Sequence, residues 1–330
     1  MICLHCANLC WIGGVGEFIK SFAKAFPEFQ HEVLFLNDFK EDYNYYKSFQ
    51  TLGIRAYHIP EITEELIDKI NPKILILHNP PSTIYPDKIK DLNILKKTNV
   101  ILVHHNKTKL FPYVDLDVFV SQWIADAYKG WEKYIKKSKV VHPCVDEVPY
   151  LNIERDTHGY PVCVGRIQSN TNSYLGKFSE DVEMLKKLKN AKFFLVGDGY
   201  EKTEDKRFTF APIQQGAMPE YLKNIDIFYI WGGNNHTESW SRVATEAMLS
   251  GIPIVIRDMK DGMSEQVRKS KAGFLVNTKQ EFINIIQMLI DRPELRKRKG
   301  EEGRAWAKEN LTIKNLRAGL IDDMLNFGVS

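Results

Sequence analysis

The chain has 330 residues, 44% of them hydrophobic and 26% charged, so its composition is globular and excludes disorder and collagen-like repeats. No apolar run approaches the roughly 18 residues of a membrane-spanning helix, and we expect no signal peptide. The formal net charge of +3 lacks the basic excess that is typical of nucleic-acid-binding proteins.

The first half of the chain alternates short apolar runs with longer amphipathic stretches. The amphipathic stretches predict helices at Val15–Ala25 and Ile62–Ile70. The apolar runs predict strands at Ile2–Cys6, Glu32–Leu36, Ile54–Ile59, Ile74–His78, Val100–His104 and Val118–Ser121. Such alternation is typical of parallel strands that are joined by helical crossovers.

The second half of the chain repeats this alternation. Its predicted strands are Pro161–Val164, Lys192–Val196, Phe208–Phe210, Ile225–Ile230, Ile252–Ile256 and Gly273–Val276. Its predicted helices lie near Glu180–Leu188, Pro219–Asn224, Arg242–Ser250, Gly262–Lys269 and Gln280–Asp291. We therefore predict an α/β fold with two Rossmann-like, doubly wound parallel-sheet domains that face each other across a cleft.

The predicted domain boundary lies near residue 150, where prolines and a polar stretch interrupt regular structure. Pro143 and Pro149 bracket the first interruption. We expect a first domain over residues 1–150 and a second domain over residues 151–311. The helical stretch Leu316–Asn326 follows the last predicted strand, so we expect residues 312–330 to pack back on the first domain.

The five cysteines are odd in number, which together with the expected lack of a signal peptide indicates a reducing compartment, the cytoplasm. Cys3, Cys6 and Cys10 with His5 have the residue types of a metal site. The same segment has the pattern of a strand, in which Cys3 and Cys6 point to opposite faces. We therefore expect buried thiols there and no metal ion.

Glycines are concentrated in the first predicted strand-to-helix turn. Gly13, Gly14 and Gly16 allow a ligand to approach the backbone, and the start of the helix favours an anion. Ile19 stands where the dinucleotide-binding fingerprint has its third glycine, so that motif is absent. A tight turn without any ligand explains these glycines equally well.

A second candidate site precedes the helix predicted at Arg242. Glu238 lies in the loop before this helix, and Glu246 lies on its second turn. We expect the amides from Ser241 to Val243 to point at an anion, which suits a ligand with phosphates and hydroxyls. By spacing alone, the pair also fits a helix with an acidic amino-terminal flank, which the helix dipole stabilises.

Several runs in the second half form a recognisable set of motifs. They are Gly165-Arg166, Gly197-Asp198-Gly199, Glu246-Ala247-Met248-Leu249-Ser250-Gly251-Ile252-Pro253-Ile254-Val255 and Gly273-Phe274-Leu275-Val276. Together with Gly13-Gly14-Val15 in the first half, they resemble the motifs of the retaining nucleotide-sugar glycosyltransferases of the glycosyltransferase B fold, in particular the family-four type. This resemblance covers essentially the whole chain and is strongest over residues 160–280.

The resemblance implies roles for individual residues. Glu238 would bind hydroxyls of the donor sugar, and Glu246 would bind the ribose hydroxyls of the nucleotide. Arg166 and Lys177 would clamp the diphosphate and stabilise the leaving group. His104 or His105 would lie near the donor sugar. The other residues implied in donor binding are Gly13, Gly14, Gly197, Ser239, Trp240, Ser241, Arg242 and Val243.

The resemblance also implies a reaction, the transfer of a hexosyl or pentosyl group from a UDP- or GDP-sugar to a hydroxyl of a glycan, lipid or small molecule. The family retains the anomeric configuration, and we expect neither a cofactor nor a metal ion. Ser241 stands where the family has a glycine, and Trp231–His236 replaces the family's usual Pro-Ser loop. The resemblance therefore does not identify the donor sugar. The aromatic, lysine-rich segment 123–139 is either a peripheral membrane contact or a half-buried helix.

Three other functions are compatible with such a scaffold. Glycosylation of a hydroxylated base in DNA is one, although the near-neutral charge does not favour nucleic acid as a partner. A nucleotide-sugar epimerase or hydrolase is disfavoured by the Glu-x7-Glu and Gly-Arg pattern. A non-catalytic sugar-nucleotide binder is disfavoured by the joint presence of Arg166, Glu238 and Glu246.

Overall fold

The protein forms two compact units, each built on its own sheet. A computed structural model describes residues 1–7, 13–36, 43–59, 62–78, 92–108, 110, 113–153, 161–167, 178–197, 203–231 and 237–329. Unit 1 comprises Met1–Cys144 and Ile313–Ser330, and unit 2 comprises Val145–Thr312. The chain therefore leaves unit 1, completes unit 2 and then returns to unit 1.

Every strand in both sheets is parallel to its neighbours. The strands of unit 1 are β1 (Ile2–Ala7), β2 (Gln30–Phe35), β3 (Arg55–His58), β4 (Ile74–His78), β5 (Asn99–His104), β6 (Leu116–Phe119) and β7 (Ser138–Val140). The strands of unit 2 are β8 (Val162–Ile167), β9 (Ala191–Val196), β10 (Phe208–Ala211), β11 (Ile227–Ile230), β12 (Ile254–Arg257) and β13 (Gly273–Val276). The predicted α/β architecture of two parallel sheets is thus confirmed.

Helices connect these strands and also follow the last one. In chain order they are α1 (Gly14–Ala25), α2 (Tyr43–Gln50), α3 (Glu64–Ile70), α4 (Gln122–Asp126), α5 (Val148–Leu151), α6 (Phe178–Leu185), α7 (Met218–Lys223), α8 (Arg242–Leu249), α9 (Gly262–Ser270), α10 (Lys279–Asp291), α11 (Pro293–Asn310) and α12 (Ile313–Val329). Short 3-10 helices lie at Leu92–Lys97 and Glu132–Tyr134.

The strand order gives each unit one topological switch point. The order is β3-β2-β1-β4-β5-β6-β7 in unit 1 and β10-β9-β8-β11-β12-β13 in unit 2. The order of connection reverses between β1 and β4 in the first sheet and between β8 and β11 in the second. Open parallel sheets bind their ligands at such switch points, at the carboxyl ends of the strands.

The second unit owes its core to apolar strands that are buried on both faces, as central parallel strands are. All six residues of β8 are buried, and β11 is buried throughout. The starts of α8, α9 and α10 are capped by side chains, and at α10 Thr278 and Glu281 form a capping box. Such a cap stabilises a helix by about 1 kcal/mol.

Helix α12 packs on unit 1 through polar as well as apolar contacts. Asp323 forms ion pairs with Lys137 and with Lys139, the latter at 2.6 Å from Nζ to Oδ2. Arg317 donates from Nη1 to the carbonyl oxygen of Ala25 at 2.7 Å, and Asn99 donates from Nδ2 to the Phe327 carbonyl at 3.1 Å. These contacts tie the last helix to α1 and to the edge of the first sheet.

Two elements differ from the sequence-based expectation. Segment 123–139 is not one amphipathic helix but α4, a 3-10 turn and β7. The whole of α11, Pro293–Asn310, lacks an apolar stripe because it buries Gly300, Gly303 and Ala307 instead of large side chains. None of the helices that the structure describes is both long and apolar enough to cross a lipid bilayer.

Candidate functional site

The candidate site of unit 2 lies beside the amino terminus of α8. The helix follows β11, one of the two strands at the switch point, after the loop that contains Glu238. Ser241 is the N-cap residue, and its Oγ accepts a hydrogen bond from the Ala244 amide. The predicted helix start near Ser241 is therefore correct.

Glu246 is buried on α8 at the position that the sequence predicts. Its Oε1 accepts hydrogen bonds from the Tyr150 hydroxyl and from Arg242 Nε, both at 2.9 Å. A carboxylate that is held by two donors is fixed in orientation, and its charge is partly compensated. The predicted role toward ribose hydroxyls remains a prediction.

The loop that carries Glu238 is held against the start of α9. The Glu238 amide donates to Asp261 Oδ2 at 2.7 Å, and the Glu238 carbonyl accepts from the Met263 amide at 3.1 Å. Asp261 also caps α9 by accepting from the Ser264 amide. Because these bonds hold the backbone on both sides of Glu238, the half-buried Glu238 carboxylate is presented from a rigid loop.

Gln266 on α9 bridges the loop to α8. Its Oε1 accepts from the Ser241 amide at 3.2 Å, while its Nε2 donates to the Ser241 carbonyl and to Thr245 Oγ1. The expectation that the Ser241 amide points at an anion is therefore wrong for this structure, since that amide is already bonded to Gln266. Arg242 and Val243 are the first two residues of α8, and the role of their amides toward an anion stays a prediction.

Gly262 allows the close approach between α9 and the Glu238 loop. A Cβ atom at residue 262 would lie 1.7 Å from the carbonyl oxygen of Ser239, which is a backbone atom. We expect Gly262→Ala to lower the free energy of unfolding by about 1–3 kcal/mol and to displace the loop. Urea unfolding would measure this. In Gly14→Ala, the added Cβ has no atom within 4 Å, so this control should retain its stability.

Arg166 lies at the end of β8 but is almost fully buried. Its guanidinium forms an ion pair with Asp181 on α6, and Asp181 Oδ2 also accepts from the Tyr229 hydroxyl at 3.1 Å. An arginine in this arrangement neutralises a buried carboxylate. The predicted diphosphate clamp would require the guanidinium to serve a ligand as well, and this role stays a prediction.

The remaining predicted residues of unit 2 have varied surroundings. Gly197 follows β9 and donates its amide to the Ala211 carbonyl at 2.9 Å. Ser239 and Trp240 are buried in the loop between Glu238 and α8. Lys177 lies outside the residues that the structure describes.

In unit 1, Gly13 and Gly14 lie where the sequence predicts, at the start of α1. Gly13 is the N-cap residue with an extended backbone, and no side chain caps the helix there. The space beyond the α-carbon of Gly14 is open within 4 Å. Both glycines thus stand at the carboxyl side of β1, one of the two strands at the first switch point.

His104 and His105 have different surroundings although they are adjacent. His104 Nε2 bonds Asp117 Oδ1 at 2.7 Å, and its Nδ1 lies 3.1 Å from the Tyr128 hydroxyl and 3.2 Å from Thr108 Oγ1. Both ring nitrogens of His104 are therefore bonded inside unit 1, and the role of His104 or His105 near the donor sugar stays a prediction.

His105 ends a series of four buried histidines, which we call the histidine row. His31 on β2, His5 on β1, His78 on β4 and His105 after β5 are linked by successive ring-to-ring hydrogen bonds. The nitrogen separations are 3.1, 3.0 and 3.2 Å in that order. The row thus crosses the switch point between β1 and β4.

All members of the histidine row have a lowered pKa. Burial is the largest cause, and it lowers the pKa of His5 and His78 well below the usual range and that of His31 to a smaller degree. Burial and then the charge of His104 lower the pKa of His105 to about 3. The four imidazoles are therefore neutral near neutral pH.

The cysteines at the amino terminus are buried thiols, as predicted. Neither Cys3 nor Cys6 is in a disulfide bond, both are fully buried, and burial raises the pKa of each thiol well above its usual value. Cys6 packs in the apolar cluster that contains Leu4, whereas Cys3 Sγ lies 3.8 Å from His5 Nε2. Cys10 lies outside the described residues.

Sequence and structure comparisons relate the chain to known proteins. Residues 162–306, most of unit 2, match the family model described as "Glycosyl transferases group 1". HepE from Anabaena, solved with UDP and glucose, is 15% identical with a TM-score of 0.74 over 99% of this chain and 100% of its own. The chain has the glycosyltransferase B fold. No curated protein sequence matches it significantly.

Solved structures of glycosyltransferases are also similar to the chain over nearly their whole length. A glycosyltransferase from Rickettsia africae is 13% identical with a TM-score of 0.79, over 99% of this chain and 98% of its own. WaaG, a glycosyltransferase involved in lipopolysaccharide biosynthesis, is 10% identical with a TM-score of 0.67, over 97% of this chain and 99% of its own. The group 1 match and the glycosyltransferase B fold together support a glycosyltransferase.

Several residues that shape the site escaped the sequence reasoning. Tyr150, Asp181, Asp261 and Gln266 hold candidate site residues, yet each stands alone in the sequence without a motif. Asp261 offered one signal, because an aspartate just before a predicted helix is a typical N-cap. The others depend on contacts between elements that are distant in sequence.

Proposed function

We propose that the protein is a retaining glycosyltransferase that transfers a sugar from a nucleoside diphosphate to an acceptor hydroxyl. The observation that carries the proposal is the pair of carboxylates, Glu238 and Glu246, beside the amino terminus of α8 within the region that matches group 1 glycosyltransferases. Helix amino termini favour anions, and carboxylates accept hydrogen bonds from hydroxyls. A nucleotide sugar presents both groups.

The proposed reaction exchanges one bond at the anomeric carbon for another. The bond from this carbon to the β-phosphate oxygen breaks, and a bond to the acceptor oxygen forms on the same face of the sugar. The acceptor proton passes to the departing phosphate oxygen, so no protein base is required. Arg166 and Lys177 would stabilise the developing diphosphate charge. Retention is supported by the motif resemblance around Glu246.

The donor is proposed to be a UDP- or GDP-sugar. HepE, a structural relative, has been solved with UDP-glucose, which supports a nucleotide-sugar donor here. We also propose that the enzyme needs neither a cofactor nor a metal ion and that it acts in the cytoplasm. The acceptor is a hydroxyl of a glycan, lipid or small molecule, and a peripheral membrane contact through residues 123–139 is part of the proposal for a lipid acceptor.

Donor binding is the direct test of this function. We expect a UDP- or GDP-sugar to raise the thermal unfolding temperature, since a ligand that binds only the folded state stabilises it. In Glu246→Gln the carboxylate is lost and the size is kept, so we expect donor affinity to fall at least about tenfold. The control Glu220→Gln, on the exposed face of α7, should bind normally. No shift with uridine, guanosine or adenosine sugars would contradict the proposal.

A further inference from the structure

The hydrogen bonds of the histidine row all point the same way, because His31, at one end of the row, also bonds a backbone carbonyl. His31 Nε2 lies 2.8 Å from the carbonyl oxygen of Phe26, which can only accept a hydrogen bond. His31 Nε2 therefore carries the proton. A neutral imidazole has one N–H and one acceptor nitrogen, so His31 Nδ1 must accept.

The same rule then fixes every other member of the row. His5 Nε2 must donate to His31 Nδ1, which leaves His5 Nδ1 as the acceptor for His78 Nε2. His78 Nδ1 in turn accepts from His105 Nε2. His105 is left with an unprotonated Nδ1, and no hydrogen bond to that nitrogen is found among the described residues.

We propose that His31, His5 and His78 are positioning residues that lock His105 in the tautomer with an unprotonated Nδ1. His105 follows β5 at the carboxyl edge of the first sheet and lies beside Phe18 of α1, with ring centroids 5.1 Å apart. An acceptor nitrogen at this edge suits a donating hydroxyl group of a carbohydrate. This link to a carbohydrate rests on the proposed function, whereas the tautomer lock does not.

The histidine row fixes the positions of its protons and cannot act as a proton relay. Its far end is a buried carbonyl, which neither takes up nor releases a proton. Phe22 and Phe26 pack near that end, with Phe22 in an edge contact to His31 at 6.1 Å between ring centroids. Because the far end can neither take up nor release a proton, no proton can pass through the row, and the direction of its hydrogen bonds is kept in the folded unit.

A metal ion bound at the His31 end of the row is the alternative to this hydrogen-bonded arrangement. Cys3, His5 and His31 place one ligand atom each within 4.8 Å of one another. An ion there would require lone pairs on His5 Nε2 and His31 Nδ1 together. His5 would then donate from Nδ1, and His78 and His105 would both reverse, so that His105 would present an N–H group instead of an acceptor.

Nitrogen-15 NMR of histidine-labelled full-length protein at neutral pH tests the lock without any substrate. We expect Nε2–H and unprotonated Nδ1 at all four residues, and no metal in stoichiometric amount by elemental analysis. An Nδ1–H signal at His105, or a bound metal ion with reversed tautomers, would overturn the proposal. Because no activity is measured, this result stands apart from the success or failure of the proposed function.

Variants at His31 separate the lock from simple packing. His31→Asn keeps an acceptor oxygen close to the Nδ1 position, so His105 should remain a single tautomer. His31→Phe removes the acceptor, and the Cys3 thiol can then donate to His5, so a second His105 tautomer should appear. The exposed His58→Gln is the control. An unchanged His105 in folded His31→Phe would refute the lock, and if that variant does not fold, a mixed tautomer in His31→Asn would refute it.

Discussion

Acidification from about pH 7 to about pH 5 is expected to lower the free energy of unfolding of unit 1 by about 2 kcal/mol for each histidine of the row that stays neutral. Unfolded histidines take up protons below a pKa of about 6.5, whereas the folded ones, with lowered pKa values, do not. The unfolded state therefore binds more protons, and stability is lost as the pH falls. Three such histidines would together lower the free energy of unfolding by about 6 kcal/mol, which is comparable to the whole stability of many domains.

Urea unfolding with limited proteolysis, read by mass spectrometry of peptides from each unit, would measure this effect separately for unit 1 and unit 2. Unit 2 contains no member of the histidine row and serves as the internal reference. His105→Leu should make the pH dependence of unit 1 shallower, because one titrating group is removed. Equal pH dependence of the two units would contradict the prediction.

Asp181→Ala is expected to lower the free energy of unfolding of unit 2 by about 3–5 kcal/mol. The substitution leaves the Arg166 guanidinium without its ion-pair partner in a site where both side chains are about 1% exposed. It also removes the acceptor of the Tyr229 hydroxyl. A buried charge that loses its partner keeps its full desolvation cost, which is why the loss exceeds that of an ordinary hydrogen bond.

A double variant separates this structural role of Arg166 from its proposed catalytic role. Arg166→Met with Asp181→Leu leaves no buried charge, so most of the lost stability should return. If Arg166 also stabilises the diphosphate, the double variant will fold yet fail to transfer sugar, whereas normal turnover would refute that role. Asp205→Ala breaks the half-exposed pair with Arg207 and is the stability control, with an expected loss of about 0–1 kcal/mol.

Strand positions were the most predictable part of the molecule. A strand buried on both faces leaves a continuous apolar run, so Ile74–His78 was predicted to the residue. The half-buried strand Gly273–Val276 was also predicted to the residue. The helix predicted near Arg242–Ser250 begins at the predicted residue, and Ser241 caps it. In contrast, β7 (Ser138–Val140) is short and partly polar, so it carries no apolar run.

The site was predictable as a location but less so as a set of contacts. Parallel topology sends ligands to strand ends, and therefore Arg166, Glu238 and Glu246 were identified from local motifs. The partner of Arg166 is Asp181, which lies 15 residues later in the chain and belongs to no motif. The histidine row is still less visible, since its members come from four separate parts of the first half and meet only through strand order.

The return of α12 to unit 1 has a consequence for how the protein is made. Ribosomes deliver the chain from the amino terminus, and domains tend to fold as soon as they have emerged. Unit 2 is continuous over Val145–Thr312, so it can fold while unit 1 still lacks its final helix. The unit that begins synthesis first is thus completed last. Until residues 313–329 arrive, the surface of α1 that α12 covers stays exposed to solvent.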